Sequence, residues 1–239
     1  MFGNDEGDYF RATGVELAGS PAGIAPRWYE WRLFAERQSA AEAHTDFSVR
    51  RLLDRDHRFR PNIDAPDAEQ LGARLALRTS RGLDPVGFRW HAALLVEAAT
   101  GTFDYVRPAL TVGATAPLTR RFVGAVEAAA GTSGGTVPIQ SAWYLGGATS
   151  LRGYSAATLT GDAFWRARVE LGTASPAARL TIFSDAGWAG ARADFDRGRP
   201  LLSAGAGLSF LDGIVRLEAA RALRAATGWR SYLRVDAAL

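Results

Sequence analysis

Apolar and polar residues alternate one by one along most of the chain. In the last stretch, Trp229, Ser231, Leu233, Val235, Ala237 and Leu239 fall on one side, and Arg230, Tyr232, Arg234, Asp236 and Ala238 on the other. A β-strand sends successive side chains to opposite faces, so this pattern predicts strands with one apolar and one charged face. Val215, Leu217 and Ala219 oppose Arg216 and Glu218 in the same way, and Trp165, Ala167, Val169 and Leu171 oppose Arg166, Arg168 and Glu170. Wound into helices, these charges would ring every side. The spacing predicts about twelve strands of roughly 9–12 residues, a length suited to a tilted crossing of a bilayer. They fall at 8–18, 26–37, 45–55, 69–80, 85–98, 102–115, 117–131, 160–171, 177–187, 200–211, 213–222 and 228–239.

The predicted connections alternate too. Several after odd strands are long (56–68, 132–159 and 188–199), and most after even strands are short, such as Leu211-Asp212-Gly213. Short turns at one end and long loops at the other is the arrangement of an outer-membrane barrel, and an even strand count places both chain ends on the short-turn side. The fold expected is all-β, an antiparallel transmembrane β-barrel forming one domain over 1–239. A water-soluble barrel or sandwich also alternates, with the faces reversed, and alternation alone does not tell inside from outside. The polar face mixes Arg with acids and has Gly and Ser at its lighter positions, which suits a crowded polar interior. Trp165, Trp188 and Trp229 fit either an interfacial aromatic girdle or ordinary packing.

Composition narrows the choice. Apolar residues make up 47% of 239 and charged residues 22%, as in an ordinary folded protein. No apolar run approaches the roughly 18 residues of a spanning helix, which excludes a helical membrane protein but not a barrel, whose hydropathy cancels along each strand. Without Cys, neither a disulfide framework nor a thiolate metal site is available. All 28 basic residues are Arg, set against 25 acids, so balanced pairing is expected and no nucleic-acid footprint. Residues 1–10 carry three acids and no basic residue, unlike a secretory leader, so the chain is either not exported or begins after a removed portion.

Candidate chemistry is sparse. Gly131-Thr132-Ser133-Gly134-Gly135 matches a nucleophile-elbow spacing, but no helical pattern follows it. His44 and His57 fall in or beside polar connections, the mixed-charge run 54–60 reads as a solvated loop, and His91 lies on the charged face of a strand. Gly205-Ala206-Gly207 lacks the third glycine of a dinucleotide fingerprint and sits within a strand. Carboxylates are scattered at strand spacing opposite Arg, so no metal, no cofactor and no enzymatic activity are expected.

The informative segment is Trp143-Tyr144-Leu145-Gly146-Gly147-Ala148-Thr149-Ser150-Leu151-Arg152-Gly153-Tyr154, inside the longest loop. It is followed by Val169-Glu170-Leu171 on the next strand and by Phe183-Ser184-Asp185-Ala186-Gly187 on the one after. By period two, Phe183 and Asp185 share a face opposite Leu180 and Ile182. Order and spacing resemble the BamA/TamA outer-membrane assembly superfamily, also called the bacterial surface antigen family. The resemblance implies that loop 132–159 folds into the lumen, carrying Gly146, Gly147, Arg152, Gly153 and Tyr154. It further implies that Arg152 meets Glu170, Phe183 and Asp185 there. A buried guanidinium needs such acceptors, and a ring face adds a cation–π contact.

The resemblance is clearest over 102–239. It implies a bacterial outer-membrane protein inserting or translocating proteins, with unfolded outer-membrane or secreted proteins as substrates and separate periplasmic accessory proteins as partners. The seam between first and last strands would open and template substrate strands. The chain departs from the family in strand count, about twelve against sixteen. It also has no preceding POTRA domain and ends in Leu239 where an aromatic is usual. It is therefore either a short member or the C-terminal part of a longer barrel. A passive structural or pore-forming barrel, or a barrel partnering a separately encoded domain, is the alternative.

Overall fold

The computed structural model describes residues 9–21, 27–41, 62–82, 84, 87–175, 177–211, 214–225 and 228–235. Among the described residues it is all-β apart from short 3₁₀ turns. The long strands are β1 (Phe10–Gly19), β2 (Arg27–Ala40), β3 (Ala68–Arg81), β4 (Arg89–Gly101), β5 (Tyr105–Pro117) and β6 (Phe122–Thr132). After a loop come β10 (Ala163–Thr173), β11 (Ala178–Gly190), β12 (Leu201–Phe210), β13 (Val215–Ala222) and β14 (Trp229–Val235). The loop holds three short strands, β7 (Gly134–Gly135), β8 (Trp143–Leu145) and β9 (Leu159–Gly161). Each long strand pairs antiparallel with its neighbour in the order β1-β2-β3-β4-β5-β6-β10-β11-β12-β13-β14. The two-residue β7 joins β5 and completes the twelve strands of this sheet, while β8 and β9 form a separate hairpin.

The expected strand at 45–55 lies outside the described residues, as do His44, His57 and Leu239. Direct pairing from Arg27↔Thr79 to Gln38↔Ala68 leaves no room for another strand between β2 and β3. This changes one expectation. Counting 45–55 as a strand puts both chain ends at the short-turn side, whereas β1 starts at the long-connection end. There Tyr9 N donates to Asn62 Oδ1 (2.7 Å) and Asn62 Nδ2 to Ala41 O (2.8 Å).

The two faces of the sheet settle which side is inside. Val15 (78% exposed), Leu110 (49%), Val126 (54%), Ile182 (57%) and Leu233 (58%) all point away from the interior. On the other face Asp185 is 1% exposed and Ser203 0%. A water-soluble barrel or sandwich would show the reverse, so its reading falls.

Loop 133–162 fills the concave side. Its Gln140 Nε2 donates to Gln38 Oε1 on β2 (2.8 Å), and its Gly153 N donates to the Tyr232 hydroxyl on β14 (2.9 Å). In sheet order β2 and β14 are nine steps apart, about 43 Å if the sheet were flat. The loop is doubled back on itself by the β8–β9 hairpin and a Gly147↔Leu151 bridge, so the sheet must wrap around it. Trp143 and Leu145 pack with Ala129, Phe164 and Ala189, and Leu151 and Tyr154 with Leu201 and Ala222. The loop thus supplies much of the apolar filling that the strands, apolar on the outside, do not.

The three tryptophans differ. Trp229 is 66% exposed on the outer face, as a girdle residue would be. Trp188, which pairs across strands with Trp165, is only 6% exposed because the 191–200 connection folds over it, with Phe195 edge-on at 5.8 Å.

Candidate functional site

The site is built where the infolded loop meets β10, β11 and β13. Its local shape starts with glycine: Gly146, Gly147 and Gly153 have φ of +134°, +80° and +88°. A Cβ on Gly146 would lie 2.0 Å from Ser155 O, so only glycine fits. Gly146 N donates to Ser150 Oγ (2.8 Å), whose hydroxyl donates back to Gly146 O (2.6 Å). Gly147 N donates to Tyr154 O (3.1 Å) and closes the turn. The Tyr154 hydroxyl lies 2.7 Å from Leu202 O and 2.6 Å from Arg224 O, which pins the turn to the ends of β12 and β13.

This turn presents Arg152, which is fully buried. Its Nε and Nη2 donate to Oδ2 and Oδ1 of Asp185 (2.8 and 2.6 Å), and its own backbone N–H adds a bond to Oδ2 (3.1 Å). Nη1 donates to Glu170 Oε1 (2.7 Å) and Glu218 Oε1 (2.9 Å). The guanidinium carbon sits 3.4 Å from the Phe183 ring centre. The structure therefore brings together Arg152, Glu170, Phe183 and Asp185, the group expected from the sequence, with Gly146, Gly147, Gly153 and Tyr154 shaping the turn.

Charge explains how so much can be buried. Arg168 Nε lies 3.2 Å from Asp185, Arg216 Nη2 lies 3.3 Å from both Glu170 and Glu218, and Arg234 Nη2 lies 3.4 Å from Glu218. The cluster holds the three carboxylates of Glu170, Asp185 and Glu218 against four guanidinium groups, so every carboxylate has at least two cationic partners. Isolated burial of any of them would be prohibitive, whereas paired and bidentate burial is sustainable.

A family model described as the Omp85 superfamily domain matches residues 53–229. The chain belongs to the Omp85 superfamily. Among solved structures, this Omp85 chain is similar to BamA from Haemophilus ducreyi lacking POTRA domains 1–3, with a TM-score of 0.68 at 15% identity. That match covers 93% of this chain and 53% of BamA. It is also similar to CdiB from Acinetobacter baumannii, with a TM-score of 0.63 at 16% identity, covering 94% of this chain and 41% of CdiB. The chain thus spans about half, or less, of the structures it matches. No curated protein matches it by sequence.

Two members of the Omp85 site escaped the sequence reading. Glu218 was placed on the charged face of its strand but not joined to Arg152, and Tyr232 was placed only by alternation. The register pairs Glu218 with Gly207 on one side and with Tyr232 on the other, and the missing side chain at Gly207 leaves room for Glu218 to reach the loop. Ser133 of the elbow-like motif is buried, and its backbone oxygen accepts a bond from Arg192 Nη1 (3.2 Å). His91 lies 3.3 Å from Glu127 on the concave face.

Proposed function

We propose that this chain is a bacterial outer-membrane barrel of the BamA/TamA type, acting in the insertion of proteins into, or their translocation across, that membrane. Its substrates are unfolded outer-membrane or secreted proteins, and separate periplasmic proteins would assist it. The observation that carries this reading is the Arg152 cluster: an infolded loop locked to β10, β11 and β13 inside an Omp85 sheet. The outward apolar face supports a lipid environment, since exposed Leu, Val and Ile at this density have no other favourable solvent.

The mechanism follows from the sheet edges. Among the described residues β1 pairs only with β2 and β14 only with β13. Such edges present unpaired N–H and C=O groups, on which an incoming strand can be templated. The locked loop keeps the interior filled while the edges work, which favours this reading over a passive open pore.

Reconstitution tests it. Liposomes containing the protein should raise the folding rate of a test outer-membrane barrel, read by its resistance to SDS unfolding. Steady ion conductance in a planar bilayer with no gain in folding rate would favour the passive pore and defeat the proposal.

A further inference from the structure

A second interior feature adjoins the latch on its short-turn side. A cavity of about 300 Å³ is lined there by Arg89, Arg168, Arg179, Arg216, Glu127 and Glu170, with hydroxyls from Thr115, Ser175, Thr181 and Ser209. Both acids are already committed. Glu127 receives Arg166 Nη1 at 2.5 Å, and Glu170 receives Arg152 at 2.7 Å and Arg216 at 3.3 Å. Arg89 is different. Among the described residues its side chain makes no ion pair or hydrogen bond, and its Nε is buried without a partner. Leaving a cation half-buried and unpaired is unfavourable unless a counter-charge arrives.

We propose that this cavity binds a carboxylate of an acidic polypeptide segment entering from the short-turn end, with Arg89 as its principal partner. The charge balance sets the ligand. Arg168 and Arg216 already pair with Asp185, Glu170 and Glu218, and Arg89 is left without a counter-charge, enough for one carboxylate and too little for a polyanion. The volume holds about ten waters, which fits an acidic side chain with adjoining backbone and excludes a folded element. Arg89 supplies a planar fork matched to a carboxylate, and the hydroxyls can serve the peptide's amides. The choice of a polypeptide rests on the protein-handling function proposed above.

The test uses the full chain in neutral detergent and fluorescence anisotropy of a rhodamine-labelled Gly/Ser peptide carrying two Asp residues. The Asp peptide should bind, and its Asn counterpart should bind at least about tenfold more weakly, the usual scale for losing a charge-assisted hydrogen bond. Arg89→Gln should weaken the Asp peptide to a similar degree. Arg89 has no partner to orphan, so folding should persist, which a heat-dependent gel shift verifies. Arg74→Gln, at an interior arginine outside this cavity, should bind as the parent does. Equal binding of Asp and Asn peptides, or unchanged binding by Arg89→Gln, overturns the site. Displacement of the peptide by low millimolar acetate or phosphate would make it a small-anion site and overturn the polypeptide assignment. Peptide binding without any gain in barrel folding in liposomes would instead count against the proposed function and leave the site standing. Barrel folding with unaltered binding by Arg89→Gln would do the opposite.

Discussion

The carboxylate of Asp185 is held by Arg152 from two directions at once: the guanidinium reaches both oxygens, and the backbone N–H of the same residue reaches Oδ2. The side chain alone could swing while the loop moved. With its own amide engaged, Arg152 cannot leave Asp185 unless the loop backbone leaves too. The pair therefore fastens the loop to β11 as well as neutralising a charge.

Arg152→Ala should release that fastening. Three carboxylates would then lose a shared cation, and breaking a buried pair from one side commonly costs about 3–5 kcal/mol. Limited proteolysis should find new cleavage within 133–162 while the strands resist. Arg152→Lys should restore the loop only in part, since an ammonium cannot form the two parallel bonds to Asp185. A loop as protease-resistant in Arg152→Ala as in the parent would show that the latch does not hold it.

Glu218→Gln should be milder. Arg152 keeps Glu170 and Asp185, while Arg216 and Arg234 lose a shared anion. A loss of about 1–3 kcal/mol is expected from the weakened charged hydrogen bond. Combined with Arg152→Ala, the two changes should cost less than their sum, because Glu218 is itself a liability once Arg152 is gone. Urea unfolding in lipid vesicles gives the cycle, and simple additivity would mean that the two side chains are not coupled.

Strand positions and faces were legible because period-two alternation is a local property. Trp229, Leu233 and Val235 share one face by alternation alone, and in the structure that face is the outer one. The direction of inside was not legible from alternation, because an apolar lumen and an apolar rim give the same sequence. The buried Asp185 and exposed Ile182, neighbours within three residues of one strand, resolve it. At the site, Arg152 with Glu170, Phe183 and Asp185 was legible through resemblance. Glu218 was not, since its contact depends on how far the sheet curls between β10 and β13, which no local pattern encodes. The strand inferred at 45–55 failed as a spacer between β2 and β3 because alternation marks a strand's faces and carries no information about its neighbour.

Gly146→Ala should disturb the loop without touching any charge. The residue sits at φ +134°, and a Cβ there would meet Ser155 O at 2.0 Å. Backbone strain of this kind costs about 1–3 kcal/mol, and the turn presenting Arg152 must shift to relieve it. Gly134→Ala, in the same loop but with no neighbour closer than 3.6 Å to the added Cβ, should be nearly silent. Protease sensitivity of 133–162 should therefore rise for the first variant only. Equal sensitivity in both would mean that the turn geometry is not what positions the latch.

The assignment of faces can be tested on a single strand. Ala206 on β12 is exposed on the outer side and pairs with Ile182, which is 57% exposed beside it. Ser209 on the same strand is 8% exposed on the inner side, between Arg179 and Arg216 in the pairing register. If the outer face meets lipid, Ala206→Arg should destabilise by about 2–4 kcal/mol near the bilayer midplane. Ser209→Glu adds a charge of the opposite sign, but it lands beside two guanidinium groups and should be close to neutral. In detergent-free vesicles the first variant should unfold at distinctly lower urea than the second. In water-filled surroundings on both sides the order would vanish, because an exposed arginine on a sheet surface is then harmless. Equal midpoints for the two variants would thus defeat the lipid-facing assignment, independently of the latch.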